Sequence, residues 1–284
     1  MRRRLLDGVF SGWAAACAAL GLALVVGVVG LVLVRAAPAV SLELVLAPSQ
    51  GAGAEGGLRY QLLGTLVLAA MALAVCTPLA TALALLQTTF LPPGAARALG
   101  VALACWNGLP SVALGIFGFA LFTQELGWGK SWLAGGVVLG MLITPTAAGA
   151  LAARIQAIPA RLIESARGLG LTRSQVAWAV QLRLGARGLV AGLLLGLARA
   201  VGETAPILFT AAVFSGATLP RGIVESPILA LPYHIFVLAQ DLPSPEARER
   251  LWAAALLLLG VVACFAAIAL RLRLGDREEG QHAG

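Results

Sequence analysis

Long uninterrupted apolar runs dominate the sequence pattern of this chain. An α-helix needs roughly 20 apolar residues to cross the hydrocarbon core of a bilayer, and six runs reach that length. They extend from about Trp13 to Val34, Leu62 to Leu86, Leu99 to Phe122, Trp132 to Ala153, Leu189 to Phe214 and Leu251 to Leu270. The pattern therefore predicts an all-α membrane protein with six transmembrane helices. Residues 13–274 form the predicted membrane domain, between an N-terminal segment (1–12) and a tail (275–284).

The composition supports this interpretation. Hydrophobic residues make up 60% of the 284 residues, charged residues only 12%, and the mean hydropathy is +0.91. Soluble domains carry about 25% charged residues, so soluble enzymes, nucleic-acid binders and disordered proteins are excluded. The first apolar run follows three arginines, as in a signal peptide, but it is too long for one and is predicted to be an uncleaved span.

The distribution of the 20 basic residues predicts the orientation. In a six-span topology, 13 of them lie on one side and 6 on the other, and Arg199 lies inside a span. Because basic residues accumulate on the cytoplasmic side, we expect both termini to be cytoplasmic. The net charge of +7 is thereby explained as a topology signal, and no nucleic-acid partner is expected.

Motifs of enzymes and metal sites are missing from the sequence. The four cysteines lie in apolar stretches without a CxxC spacing, and neither His234 nor His282 has a metal-ligand neighbour. The chain has no phosphate-binding loop, GxSxG or HExxH motif. We therefore expect neither an enzyme nor a bound metal or cofactor.

The segment between the fourth and fifth spans, about residues 154–187, has the pattern of two short helices. Pro159 suits the start of the first, and Gly168 and Gly170 end it. Thr172 and Gln175 have the spacing of a capping box, which predicts a second helix to about Leu182. The residues alone fit either an amphipathic hairpin on the lipid headgroups or a docking element for a cytoplasmic partner.

Two charges stand in the fifth predicted span. Arg199 is roughly 18 Å along the helix from Arg187, near the middle of the membrane, and Glu203 follows at i+4 on the same face. A central charge costs about 2.5–3.5 kcal/mol, so the pair must face protein or a water-filled cavity. Pro206 predicts a helix kink beside it. The pair forms either part of a solute pathway, which intramembrane charges favour, or an internal salt bridge.

Polar residues also interrupt the third predicted span. Asn107 is either a pathway ligand or a partner in a helix–helix hydrogen bond. Pro110 predicts a second kink, and Ser111 is a further candidate for the pathway. His234, in the last outer loop, either contacts an external protein or is an ordinary hydrogen-bonded loop histidine.

The segment from Ile158 to Gly170, IPARLIESARGLG, resembles the EAA loop of bacterial ABC importer permeases. Glu164, Ser165, Ala166 and Gly170 occupy the motif positions, whereas Arg183 and Arg187 replace the usual downstream prolines. The resemblance implies a type I importer permease whose loop, with Thr172 and Gln175, docks on an ATPase subunit. The arginines predict that the loop exit continues as helix where relatives turn.

Three further segments resemble the A-type permease of phosphate-specific (Pst) ABC importers. They are LARAVGETAP (197–206), GLPSVALGIFG (108–118) and ALPYHIF (230–236). This resemblance implies alternating-access phosphate uptake across a bacterial inner membrane, with pathway residues Arg199, Glu203, Thr204, Asn107 and Ser111. It also implies several partners: a homologous second permease, an ATPase dimer that binds ATP and Mg²⁺, and an external phosphate-binding protein.

Departures from the family pattern keep other functions open. Relatives often carry charges late in the fourth span, where this chain has Gly149, Ala152 and Ala153. A permease for another oxyanion, such as tungstate or sulfate, is therefore the main alternative. A membrane scaffold or sensor subunit that transports nothing, or a secondary transporter, belongs to a different class, although no inverted repeat is evident.

Overall fold

The structure, a computed structural model, describes residues 2–50, 55–213, 222–240 and 244–282; the side chains of residues 2–6, 8, 9, 49, 50, 55 and 273–282 are not described. The helices are α1 (Arg2–Ala36), α2 (Leu42–Leu46), α3 (Arg59–Leu85), α4 (Pro93–Asn107), α5 (Ser111–Gly118), α6 (Trp132–Gln156), α7 (Ala160–Gly168), α8 (Arg173–Val176), α9 (Arg183–Ala200), α10 (Ala205–Thr210), α11 (Leu231–Leu238) and α12 (Pro245–His282). Leu86–Phe90, Phe119–Glu125 and Ala177–Leu182 are π-helical turns. Two-residue strands, β1 (Ser49–Gln50) and β2 (Glu55–Gly56), pair antiparallel.

Among the described residues, five helices are long and apolar enough to span a membrane, and a sixth span is formed if one bent pair of helices counts as a unit. The straight spans are Phe10–Ala36, Arg59–Phe90, Trp132–Gln156, Arg173–Ala200 and Pro245–Leu272. The all-α membrane fold predicted from the sequence is thus confirmed, with a different course for the third and fifth spans.

The third span is bent, not straight. Helices α4 and α5 meet at 91°, where the sequence pattern predicted one continuous helix. Gly108 ends α4, and Pro110 precedes α5. Proline has no N–H to donate and disfavours helical geometry in the preceding residue, so the chain turns here. Pro110 therefore marks a corner in the span and not a kink within one helix.

The fifth span begins earlier and ends earlier than predicted. Helical structure is continuous from Arg173 to Ala200, so the second loop helix does not stop near Leu182. The span ends at Ala200, and α10 follows after a break at residues 201–204. The predicted end of this span, Phe214, lies outside the described residues.

The core of the bundle is built where α6 packs between α3 and α9. Glycines let the backbones approach closely: a Cβ on Gly192 would lie 2.6 Å from the Cβ of Ala150, and one on Gly196 would lie 2.8 Å from the Cβ of Ile143. Small residues at helix interfaces are how membrane helices gain packing contact without a hydrophobic driving force. These pairings also show that α9 runs antiparallel to α6.

The bundle has two distinct ends. The loop end carries α7 and α8, and the opposite, α11 end carries the short helix α11 and the start of α6. At the α11 end, the amide of Leu231 donates a 2.9 Å hydrogen bond to the hydroxyl of Thr65, and the amide of Trp132 donates a 3.1 Å hydrogen bond to the carbonyl of Ser226. His234 is buried in α11, at 4% exposure, so the prediction of an outer-loop histidine was wrong.

Candidate transport site and coupling loop

The helix break after α9 carries the charged pair predicted from the sequence. The Nε of Arg199 lies 3.6 Å from Oε1 of Glu203. Glu203 stands beyond the helix end, so the pair is joined by a turn and not by one continuous helical face: the amide of Glu203 donates to the carbonyl of Ala200. The predicted ion pair forms, but Glu203 lies in the turn between α9 and α10 and not within a helix.

The helix kink predicted at Pro206 is not present. Pro206 instead lies in the first turn of a new helix, α10. It lies at the second position of α10, where the missing N–H has no helical partner to lose. Its carbonyl accepts a 2.7 Å hydrogen bond from the hydroxyl of Thr210. Thr204 directly precedes α10 and makes no side-chain cap bond in the described part of the chain.

The side chains on the two sides of this break differ in their exposure to solvent. On the inner side, Leu197, Val201 and Ile207 are at most 3% exposed, and a void of only about 10 Å³ lies among them. On the outer side, the Arg199 side chain is 45% exposed and that of Glu203 is 21% exposed. A void of this size is at the lower limit for a single water molecule. The charges therefore face the surface of the chain and not its interior.

The depth of Arg199 follows from the packing of α9 on α6. Gly196 packs on Ile143, so Arg199, one turn further on, lies level with about residue 140 of α6. At 1.5 Å per residue, that level is roughly 24 Å from the end of α6 at the loop end and roughly 12 Å from its start. Arg199 is thus nearer to the α11 end than the mid-membrane position expected from the sequence.

Helix α5 lies alongside α10. A Cβ on Gly115 would lie 2.9 Å from the Cα of Pro206, and one on Gly118 would lie 3.3 Å from Cγ2 of Thr210. Both helices therefore run in the same direction. One turn before Gly115, Ser111 is level with the break, so the first turn of α5, with its free N–H groups, begins beside residues 201–204.

Asn107 makes the helix–helix contact that was one of its two predicted roles. Its Oδ1 accepts a 3.1 Å hydrogen bond from the hydroxyl of Thr146 in α6. Both side chains are partly accessible, since Asn107 is exposed and Thr146 is half-buried. This bond ties the end of α4 to α6 immediately before the 91° corner.

The loop between α6 and α9 has the local geometry that its sequence predicts. The hydroxyl of Thr172 accepts from the amide of Gln175, and the side chain of Gln175 accepts from the amide of Thr172, which completes the capping box. Gly170 has φ +85°, a left-handed conformation that a side chain disfavours. The turn between α7 and α8 is thus fixed by a glycine on one side and a cap on the other.

The apolar side chains in α7 and directly after it differ in their burial. Ala166 is buried, whereas Leu162 is 45% exposed and Leu169 is 81% exposed. Glu164 and Ser165 are exposed as well. Helix α7 therefore packs against α8 within the loop, and the side chains that it presents outward are Leu162, Glu164, Ser165 and Leu169.

The exit of the loop continues as helix, as Arg183 and Arg187 predicted. Both lie in α9, and no break in helical structure separates this helix from α8. Because proline would remove a helical hydrogen bond at these positions, arginine there permits one helix from Arg173 to Ala200. The second loop helix, α8, and the helix that carries Arg199 are consequently continuous.

Several polar contacts escaped the sequence analysis because their partners lie far apart in the chain. The hydroxyl of Thr89 donates to Oε1 of Gln181 at 2.6 Å. Lys130 donates from Nζ to the carbonyl of Leu208 at 3.2 Å, near the end of α10. Of these residues, Gln181 gave a signal that could have drawn attention, because it is a polar residue between Val180 and Leu182 in the predicted second loop helix.

A larger cavity, of about 440 Å³, lies elsewhere, between α2 and the start of α12. Glu43, Glu246, Glu249 and Arg250 are among its lining residues. Three carboxylates against one guanidinium disfavour an anion, so this cavity does not fit an anion pathway. Within the described residues, no group of three or more His, Cys, Asp or Glu side chains is arranged to hold a metal ion.

Comparison with known sequences identifies the family. The model of the family described as "binding-protein-dependent transport system inner membrane component" matches residues 81–274, which is more than half of the chain. The chain belongs to this family. It is therefore a multi-pass membrane permease component of an ABC transport system.

Named relatives narrow the family assignment. The phosphate transport system permease protein PstA 2 of Mycobacterium tuberculosis (strain CDC 1551 / Oshkosh) is 31% identical over 264 residues, which cover 91% of this chain and 84% of the relative. A probable PstA of Methanocaldococcus jannaschii is also 31% identical, covering 81% of this chain and 79% of the relative. A PstC permease of Pasteurella multocida is 31% identical over 54% of this chain and 56% of its own length.

Solved structures confirm the predicted type I importer permease fold. A chain of a bacterial ABC transporter that imports alginate superimposes with a TM-score of 0.58 at 15% identity, covering 94% of this chain and 99% of that chain. A chain of the MetNI methionine transporter superimposes with a TM-score of 0.56 at 18% identity, covering 77% and 94%. At these identities the similarity concerns the fold alone.

Proposed function

We propose that this chain is the permease subunit of an ATP-driven importer of inorganic phosphate that works by alternating access. The observation that carries the proposal is the break after α9, where Arg199 is held by Glu203 on an exposed surface at membrane depth. Arginine suits a tetrahedral oxyanion because its fork of N–H donors binds two oxygens at once. The similarity to phosphate permeases over 91% of the chain supports the choice of anion.

The path of the anion would run along the surface of this chain. The inner side of the break is packed, so a solute has no room there, whereas Arg199 faces outward. A charge at this depth is expensive in contact with lipid, so a second protein surface must cover it and enclose water. A homologous second permease would supply that surface, and the similarity to a PstC permease supports such a pair.

Ser111, Thr204 and Asn107 would complete this chain's side of the path. Ser111 begins α5 level with the break, and the free N–H groups of that first turn favour an anion. Thr204 lies next to Glu203 and leaves its hydroxyl available for the solute. Asn107 is engaged with Thr146, so its contribution is to hold the corner between α4 and α5 in place.

The loop end would face the cytoplasm and dock on the ATPase dimer. Thirteen of the 20 basic residues lie on that side, in agreement with cytoplasmic termini. Leu169 at 81% exposure and Trp178 at 64% exposure form apolar surface that a partner protein would cover. ATP and Mg²⁺ would bind to that ATPase, and an external phosphate-binding protein would deliver the anion at the α11 end.

Uptake by the reconstituted complex tests the site. Liposomes containing both permeases and the ATPase, with the binding protein added, are assayed for uptake of phosphate in competition with sulfate and tungstate. Arg199→Gln should lower phosphate uptake at least tenfold, since one charge-assisted contact contributes about 1.5–3 kcal/mol. Arg271→Gln, the same change at an exposed position of α12 outside the loop and the break, is the control and should transport at the parental rate. Parental uptake by Arg199→Gln would show that Arg199 is structural.

Association with the ATPase tests the docking surface. Leu169→Asp places a charge on an exposed loop position and should reduce co-purification of the ATPase, as should Glu164→Arg and Gly170→Trp. Leu126→Asp introduces the same charge on a side chain that is 52% exposed at the α11 end. If all four variants retain the ATPase equally, the loop is not the docking element.

A further inference from the structure

Two π-helical turns meet at the loop end of the bundle. One, Leu86–Phe90, ends the long helix α3, and the other, Ala177–Leu182, joins α8 to α9. Such turns account for well under 1% of residues in proteins and occur frequently at functional sites. Two of them in direct contact therefore require a reason beyond the filling of space.

A single side-chain hydrogen bond connects the two turns. The hydroxyl of Thr89 donates to Oε1 of Gln181 over 2.6 Å, across 92 positions of sequence. Gln181 is only 6% exposed, so water does not readily replace Thr89. The hydroxyl oxygens of Thr88 and Thr89 lie 3.3 Å apart. The hydroxyl of Thr88 donates a hydrogen bond to the carbonyl of Ala84. Because a buried acceptor without a partner is unfavourable, this contact favours one position of Gln181.

Gln181 lies within a long continuous helix, so a change in its position would move that helix. Helical structure runs without a break from Arg173 to Ala200, so Gln181 lies between the capped loop and Arg199. A π-helical turn holds one residue more than an α-helical turn. If the turn at Ala177–Leu182 changed to α-helix, the helix beyond it would rotate by about 100° and shift by about 1.5 Å. Arg199 would then face a different surface.

The turn at the end of α3 also contacts the next helix. The Nε2 of Gln87 lies 2.7 Å from the place that a Cβ on Gly100 would occupy, so the side chain of Gln87 packs on the backbone of α4. Helix α4 leads to the corner at Pro110 and so to α5 beside the break. Helix α9, which carries Arg199, and helix α4, which leads to α5, are thereby both anchored at the pair of π-helical turns.

We propose that the Thr89–Gln181 hydrogen bond is a latch that fixes the register of the helix Arg173–Ala200. Movement of the loop would break or remake this bond and reach Arg199 as a rotation of one helix. Thr89 and Gln181 are positioning residues, because they act on the solute through Arg199. This inference rests on the proposed function for its consequence in transport, but the latch itself is testable in the isolated chain.

Hydrogen exchange of the full chain in detergent micelles tests the latch. Thr89→Val removes the donor and keeps the shape, whereas Thr89→Ser keeps the hydroxyl. We expect backbone amides of residues 177–182 to exchange about fivefold faster in Thr89→Val, the factor that a net hydrogen bond of about 1 kcal/mol gives. Thr89→Ser should match the parent. Parental exchange of residues 177–182 in Thr89→Val overturns the proposal.

The assembled complex tests the consequence for coupling. Thr89→Val and Gln181→Leu should retain the ATPase rate but transport about fivefold fewer anions per ATP hydrolysed. The double variant should be no worse than either single variant, since both remove the same bond. Proportional loss of ATPase and uptake, or additive effects, overturns the coupling role. If the complex of unmodified subunits takes up no phosphate, the proposed function is refuted instead. The hydrogen-exchange experiment then still tests the latch.

Discussion

The close approach of α9 to α6 makes a quantitative prediction at Gly192. A Cβ on this glycine would lie 2.6 Å from the Cβ of Ala150 and 3.1 Å from the Cα of Ala147. Carbon atoms in contact are normally about 3.5–4.0 Å apart, so Gly192→Ala must separate the helices by roughly 1 Å. Neither opposing atom belongs to a flexible side chain, so a rotamer change cannot relieve the overlap.

Two opposing contributions determine the change in stability that Gly192→Ala should cause. Overpacking of a close contact costs about 1–3 kcal/mol. Alanine also has a higher helix propensity than glycine, by about 1 kcal/mol, which partly offsets that cost. Gly149 is the matched control because it lies in α6 and a Cβ added to it would have nothing within 4 Å, so Gly149→Ala reports helix propensity alone. Gly192→Ala should therefore be about 1–3 kcal/mol less stable than Gly149→Ala.

Thermal unfolding of the purified chain in detergent measures this difference. With roughly 2–4 °C per kcal/mol for a chain of this size, the midpoint of Gly192→Ala should lie several degrees below that of Gly149→Ala. Adding Ala150→Gly to Gly192→Ala removes the opposing Cβ and should restore part of the loss, seen as a favourable coupling energy in the double-mutant cycle. Equal midpoints for the two alanine variants, or no coupling to Ala150, would refute the close packing described here.

Three further predictions concern the ends of the bundle. Gly170→Ala forces a side chain into φ +85° and should cost about 1 kcal/mol or more of stability. Gly168→Ala is the control and should cost no such stability, because Gly168 has open space around it and an ordinary φ. Thermal unfolding measures the difference between the two variants. Burial, with a smaller contribution from Arg250, lowers the pKa of His234 to about 4 from 6.5, so the unfolded chain binds its proton first as the pH falls. The folded state should lose stability between pH 6.5 and pH 4, and His234→Leu should lose less over that range in acid titrations followed by circular dichroism. Thr65→Val leaves the buried amide of Leu231 without its acceptor and should cost about 1–3 kcal/mol, compared by thermal unfolding with Thr65→Ser, which should lose little.

The sequence predicted the features that depend on neighbours along the chain. The capping box of Thr172 and Gln175 formed because both residues lie within one helical turn. The continuation of the loop as helix followed from the absence of proline at Arg183, and the pairing of Arg199 with Glu203 followed from their spacing. These properties need only local geometry and the hydrophobic length of each run.

The errors arose where a polar or proline residue had more than one local outcome. Pro110 and Pro206 each permitted a kinked helix or a break, and the structure has a corner at one and a new helix at the other. The choice depends on packing, because Gly115 allows α5 to lie directly on Pro206. His234 likewise became buried because α11 folds back against α3, which no local pattern required.

The sequence alone thus determined that the chain crosses a membrane, which runs form four of its spans, and where its second loop helix is capped. Hydrophobic length and local hydrogen bonding are sufficient for that. Only the tertiary structure decided that Arg199 faces outward from a packed break, and that Thr89 meets Gln181 at the loop end. Both depend on which faces of distant helices meet, and that is set by the close approach of small residues such as Gly192 and Gly115 across the bundle.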